Sequence, residues 1–155
     1  MRKYIYLFIC QLLLVSCQGE HHITTVKELA HVLRTAYETG HGELFLQHVD
    51  FDGMPPDLRR ILVRMAQSWK GLGNSDMKID ECKVFSATEY APTTGIPGKL
   101  NGRPLEWTIR PSHIVVLRTS LKQKSKWYYK RYTYEFGAYM RNHRWLFAGA
   151  RYANQ

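Results

Sequence analysis

Residues 127–147 read WYYKRYTYEFGAYMRNHRWLF, from Trp127 to Phe147. The period is two: Tyr128, Tyr132, Tyr134, Phe136, Ala138 and Met140 share one parity, and Tyr129, Arg131, Thr133 and Glu135 take the other. Such alternation marks a strand with one face packed and one face wet. Arg141, Asn142 and His143 make a tight turn into a further strand, so an antiparallel hairpin lies near the end of the chain.

Working outward from it, β-branched and aromatic residues dominate everything after residue 77, and the spacing predicts strands at about 77–88, 105–121, 127–140 and 144–152. Within the second, Leu105, Trp107 and Ile109 alternate with Glu106, Thr108 and Arg110 until Pro111 interrupts, which implies a bulge or edge position. Ala91 to Arg103 carries Pro92, Gly95, Pro97, Gly98 and Gly102 and reads as a long loop. Upstream the period is 3.6. Thr25 and Glu28 have the spacing of a capping box. Val26, Leu29, Ala30, Leu33, Ala36 and Tyr37 then fall on one helical face, and Gly40 and Gly42 end it. A short helical turn is expected at Glu43 to His48. Pro55 and Pro56 open a third helix with Leu58, Ile61, Leu62, Met65 and Trp69 inside and Arg59, Arg60, Arg64 and Gln67 outside, ending at Gly71 to Gly73. Helices followed by a run of antiparallel strands imply an α+β domain, with the N-terminal helices packed on one face of a curved sheet.

Two segments carry a family resemblance. Thr39, Gly40, His41, Gly42, Glu43, Leu44 and Phe45 lead from the first helix into a short second one, and Asn142, His143, Arg144, Trp145, Leu146 and Phe147 form a closing turn and strand with its tryptophan. Over residues 24–152 this resembles the nuclear transport factor 2-like superfamily, with its cystatin-like cone of sheet and its ketosteroid-isomerase-like and polyketide-cyclase-like members. His41 stands where that family usually has aspartate. The resemblance implies a cavity wrapped by the sheet, used by some members for binding and by others for acid–base chemistry. No motif transfers a catalytic residue.

The N-terminus addresses location. Arg2 and Lys3 precede an apolar run from Tyr4 to Val15 broken only by Gln11, the pattern of an export signal. Roughly 12 residues are too few to span about 30 Å of hydrocarbon. Leu14, Val15, Ser16 and Cys17 resemble the bacterial lipobox, which implies cleavage after residue 16 and acylation of Cys17. The expected organisation is a signal peptide over 1–16, a lipidated tether over 17–23 and one domain over 24–155. Several acyl chains on one residue suffice for stable anchoring. Gln18 lacks the aspartate linked to inner-membrane retention. The expected place is therefore the outer membrane facing the periplasm, or the outer face of the plasma membrane in a Gram-positive cell. Cys10 leaves with the signal and Cys17 takes the lipid, so Cys82 has no disulfide partner within the mature chain; a lone cysteine of this kind reads as a small core residue.

Charge divides the mature chain unequally. Residues 17–98 hold 8 basic and 11 acidic side chains and residues 99–155 hold 12 and 2, giving 20 against 13 and a net +7. An exported domain meets anionic lipid and envelope polymers before any nucleic acid, so no nucleic-acid partner is expected. The basic hairpin is the clearest surface feature. Lys122, Lys124, Lys126, Lys130 and Arg131 surround Trp127, Tyr128 and Tyr129, and Lys122, Lys124, Lys126, Trp127, Tyr129 and Arg131 are the candidate binding residues. A charge-protected sheet edge explains the same pattern.

Other constellations point less far. His41, His48, Asp50 and Asp52 contain ligand types but not the later positions of a calcium loop, so turn formation before Pro55 accounts for the aspartates and no metal or cofactor is expected. His113 with Glu135 is the candidate acid–base pair. An ordinary ion pair of Glu135 with Arg118 or Arg144 competes with it, and no catalytic residue is assigned. The function expected from these readings is a non-enzymatic lipoprotein domain that binds a small apolar ligand or a partner. A cavity enzyme of isomerase or cyclase type and a basic module for anionic lipid or envelope polymer are the alternatives.

Overall fold

The computed structural model describes residues 23–71, 77–90, 98–122 and 129–153. The signal segment, Cys17 and the rest of the tether up to His22 lie outside them, as do Lys124, Lys126, Trp127 and Tyr128. Ile23, assigned to the tether by composition, is 4% exposed, and its carbonyl accepts the Trp145 N–H at 3.1 Å. Ile23 is therefore packed with the domain.

Helix α1 is Val26–Thr39. Both halves of its capping box form: Thr25 Oγ1 accepts the Glu28 N–H at 3.2 Å, and the Glu28 carboxylate accepts the Thr25 N–H at 3.2 Å. Gly40 ends the helix at φ 71°, a left-handed turn that glycine adopts without a Cβ penalty. Leu29, Ala30, Leu33, Ala36 and Tyr37 are buried, as the 3.6 period implies. Helix α2 is Gly42–Leu46 and helix α3 is Pro56–Ser68, extended by a 3₁₀ turn at Trp69–Gly71.

The inward stripe of α3 differs from expectation at two places. Ile61 is 45% exposed, whereas Ala66 is fully buried. Ala66 is the seat of Gly42: a Cβ on Gly42 would lie 2.1 Å from the Ala66 carbonyl oxygen. The closest approach of α2 to α3 therefore needs two small residues, and apolar periodicity scores small residues weakly.

Among the described residues seven strands follow, all paired antiparallel: β1 Met77–Ser86, β2 Lys99–Leu100, β3 Arg103–Trp107, β4 His113–Lys122, β5 Tyr129–Arg141, β6 Arg144–Phe147 and β7 Ala150–Tyr152. One short helix, α4, interposes at Ala87–Tyr90. The strands make two sheets, ordered β1-β4-β5-β6 and β2-β3-β7. The protein is α+β with antiparallel sheets.

Three sequence boundaries are corrected. The stretch 105–121 is two strands in different sheets, because Pro111 lacks the N–H a ladder needs; its ring instead lies against the bare Cα of Gly137, where a Cβ would come within 3.0 Å. The stretch 144–152 also divides, at Ala148 and Gly149, where a Cβ on Gly149 would lie 2.7 Å from the Asp50 carbonyl oxygen. The 91–103 loop holds a small hairpin, with Lys99 opposite Pro104 and Leu100 opposite Arg103. Among the parity positions of β5, Met140 is 51% exposed and Tyr139 only 6%, because Tyr139 is tied through its hydroxyl to Asp50.

The core sits between the helices and the four-stranded sheet. Phe45 is its centre, with its ring centroid 5.4 Å from Trp69, 5.0 Å from Phe136 and 5.2 Å from Phe147. Val115 and Leu117 from β4 complete the sheet side.

Candidate functional site

An apolar cleft of about 280 Å³ opens beside this core. Leu58, Ile61, Leu62 and Met65 of α3 form one wall, Leu105 and Trp107 of β3 another, and Phe136 and Phe147 its floor against the core. The exposed Ile61 lines this opening, while its stripe neighbours Leu58, Leu62 and Met65 pack against the two core clusters. Trp107 and Phe136 line the space rather than fill it.

Among the described residues Glu135 is the one charged member of the lining. Its carboxylate accepts the Tyr90 hydroxyl at 2.7 Å. Burial and this bond to a carboxylate both raise the Tyr90 pKa, so the phenol stays a donor at neutral pH. Tyr90 was not read from sequence as a partner. The signal was faint, since it lies just after a strand and 45 residues from the acid it meets. The Trp107 indole N–H is buried with no hydrogen-bond partner among the described residues. The cleft thus joins a large apolar surface, one engaged carboxylate and one unpaired donor, a composition suited to holding an apolar molecule.

The acid–base pairing of His113 with Glu135 does not form. Val115 is opposite Phe136 and Val116 opposite Glu135, so His113 belongs to the inner face and Glu135 to the outer one. His113 packs edge-on to Trp145, centroids 5.2 Å apart, with Ser112 Oγ 3.0 Å from its Nδ1. The expected cross-strand ion pair of Glu135 is also corrected: Arg118 reaches Glu81 at 2.6 Å instead, and Arg144 donates to the Gln47 carbonyl at 3.4 Å.

The histidine and aspartate cluster disperses. His41 Nδ1 is 2.7 Å from Glu43, whereas His48 is buried. The Asp52 N–H donates to Asp50 Oδ1 at 2.9 Å, the turn that the aspartates implied. Asp50 also accepts the Tyr139 hydroxyl and, at 3.1 Å, Arg141. Burial pushes Tyr139 up to about 12, and its bond to Asp50 adds to this, so the phenol remains a proton donor to that carboxylate. This tie between the α2–α3 loop and the β5–β6 hairpin was missed, because Asp50 and Tyr139 stand 89 residues apart. Among the described residues no three histidine, cysteine or acidic side chains are grouped to hold a metal ion.

Of the candidate binding residues, Lys122 and Tyr129 are opposite each other at the end of the β4–β5 ladder, and Arg131, opposite Ser120, is exposed. Lys130 holds its ammonium 5.3 Å from the Tyr132 ring centroid. Cys82 is half-buried and donates its S–H to the Ala30 carbonyl at 3.5 Å; burial raises its pKa, which disfavours the nucleophilic thiolate. Among the described residues no helix is long and apolar enough to cross a membrane. No protein-family model matches the chain, and neither a curated protein nor a solved structure gives a significant match.

Proposed function

We propose that this protein is an exported lipoprotein, anchored by lipid on Cys17, whose domain is a nuclear transport factor 2-like cone that binds a small apolar ligand without transforming it. The observation that carries the binding reading is the cleft: about 280 Å³, walled by leucine, isoleucine and aromatic side chains, with its one carboxylate already bonded to Tyr90. A proton-transfer enzyme of isomerase or cyclase type needs a base free to reach substrate, with a second polar group to stabilise developing charge. Glu135 is engaged with Tyr90, and His113, packed against Trp145, is not among the described residues that line the cleft. The export signal and lipobox of residues 1–17 support the anchored location.

The test is equilibrium titration of the soluble domain, residues 18–155, with the uncharged fluorophore N-phenyl-1-naphthylamine. Saturable one-site binding is expected. Ile61→Asp, at an exposed position that tolerates a charge, weakens it about tenfold, the worth of roughly one lost aliphatic contact surface. Glu135→Gln keeps an acceptor for Tyr90 and leaves affinity unchanged. Equal affinity in wild type and Ile61→Asp overturns the cleft as the binding site.

A second reading rests on the β4–β5 tip, where the Lys130 ammonium lies near the Tyr132 ring and Arg131 is exposed, and where the sequence adds Lys122 and Tyr129 at the end of the ladder. Basic residues near an anionic bilayer contribute about 1 kcal/mol each, and tyrosine suits the headgroup layer. In this reading the tip rests on the membrane that holds the anchor.

A further inference from the structure

A second concavity lies between α1 and α2, with a volume of about 340 Å³. Ile23, Val32 and Leu44 supply its apolar lining, Thr35, Gln47 and His48 polar groups, and Glu28 and His31 of α1 its ionisable rim. Leu44 is one of three large hydrophobic side chains left exposed among the described residues. His48 is 8% exposed, and its Nδ1 is buried without a hydrogen-bond partner among the described residues. Its backbone is fixed on both sides, the N–H donating to Phe45 and the carbonyl accepting from Phe147. Burial, then the nearby Arg144 charge, lowers the His48 pKa, so the ring is neutral at pH 7 and compatible with an apolar neighbour.

Position and size select an occupant. Ile23 lines the groove and follows Cys17 by six residues. At about 3.5 Å per extended residue, the sulfur of Cys17 lies within roughly 20 Å of it. An apolar cavity of about 150 Å³ takes benzene, with six carbons. On that scale the groove holds on the order of a dozen carbons, most of a fatty acyl chain.

We propose that the α1–α2 groove seats an acyl chain carried on the protein's own Cys17, folding the anchor back onto the domain when no bilayer receives it. This rests on the lipid anchor proposed above. The same chain then has two alternative apolar environments, the bilayer and the groove.

The test uses the full-length protein, produced in bacteria fed a diazirine-bearing palmitate analogue, purified, exchanged into detergent-free buffer and irradiated. Peptide mass spectrometry is expected to place cross-links on Val32, Leu44 and their neighbours. Leu44→Lys and, independently, Val32→Trp should remove those cross-links while the lipid mass on Cys17 and the melting temperature are retained. Lipidated protein whose cross-links fall elsewhere, or persist in both variants, overturns this inference and leaves the anchor standing. No incorporation of the analogue removes the anchor and this inference together. Groove labelling of Cys17→Ser by an equimolar amount of the free analogue, matching that of wild type, makes the occupant a free lipid and overturns self-seating.

Discussion

Replacing Gly42 by alanine separates two expectations of opposite sign. Helix propensity alone favours the substitution by about 1 kcal/mol, because glycine is a poor helix former. The packing opposes it. A Cβ at Gly42 would lie 2.1 Å from the Ala66 carbonyl oxygen, 2.5 Å from its carbon and 2.9 Å from its Cβ. Two of these are backbone atoms of α3, which no rotamer change can move. Carbon contacts relax near 3.5 Å, so α2 and α3 must separate by more than about 1 Å. That movement loosens Phe45, three residues along α2 and in contact with Trp69, Phe136 and Phe147. Overpacking costs about 1–3 kcal/mol, more where backbone has to move. After crediting the propensity gain, Gly42→Ala is expected to lose about 2 kcal/mol, which for a domain of this size lowers the melting temperature by roughly 6–10 °C. Thermal and urea unfolding of residues 18–155 measure it, with Gln67→Ala on the wet face of α3 as a control expected within about 0.5 kcal/mol of wild type. A Gly42→Ala variant that melts at or above the wild-type temperature refutes the α2–α3 contact and, with it, the floor of the cleft.

Asp50 gives a pH signature. Burial raises its pKa, but hydrogen bonds from Tyr139, the Asp52 N–H and Arg141, with the charge of Arg141, more than offset that, and the carboxyl sits below its ordinary range. A carboxyl depressed by folding contributes stability above its unfolded pKa of about 3.9 and loses it as pH falls through the folded value. The urea midpoint of wild type is therefore expected to fall more steeply than that of Asp50→Asn as pH drops from about 5 to 3, and parallel curves count against the Asp50–Tyr139–Arg141 tie. For the basic tip, replacing Lys122, Lys124 and Lys126 by glutamine should abolish salt-sensitive co-sedimentation of the unlipidated domain with phosphatidylglycerol vesicles; equal binding by both forms excludes the tip as a membrane contact.

What the sequence reveals depends on how local the physics is. The Thr25–Glu28 capping box, the Gly40 terminator, the α1 face and the proline start of α3 depend on neighbours within one helical turn, and all four are present in the structure. The alternating positions Tyr134, Phe136 and Ala138 of β5 do meet the core, but the opposite face is covered too, with Gly137 buried against Pro111 and Trp107. The alternation breaks at Tyr139, whose burial depends on an aspartate in a loop 89 residues away. The split at Pro111 was visible as an interruption, but the partner exchange it causes was not, because β3 pairs with β7 through residues 150–152 at the far end of the chain. Glu135 shows the same limit: parity put it on the outer face, while its partner Tyr90 came from a helix of four residues too short to signal itself. The cleft has no signature in the sequence, since a void leaves no periodicity of its own.

The central claim is that a water-soluble domain is tied to a membrane through the sulfur of Cys17. Intact-mass spectrometry of the protein purified from bacterial membranes tests it directly. The account predicts a chain beginning at residue 17 with acyl mass added and, for Cys17→Ser, no acyl mass and no membrane fractionation. A wild-type chain with an unmodified Cys17, or a serine variant that stays in the membrane fraction, contradicts it.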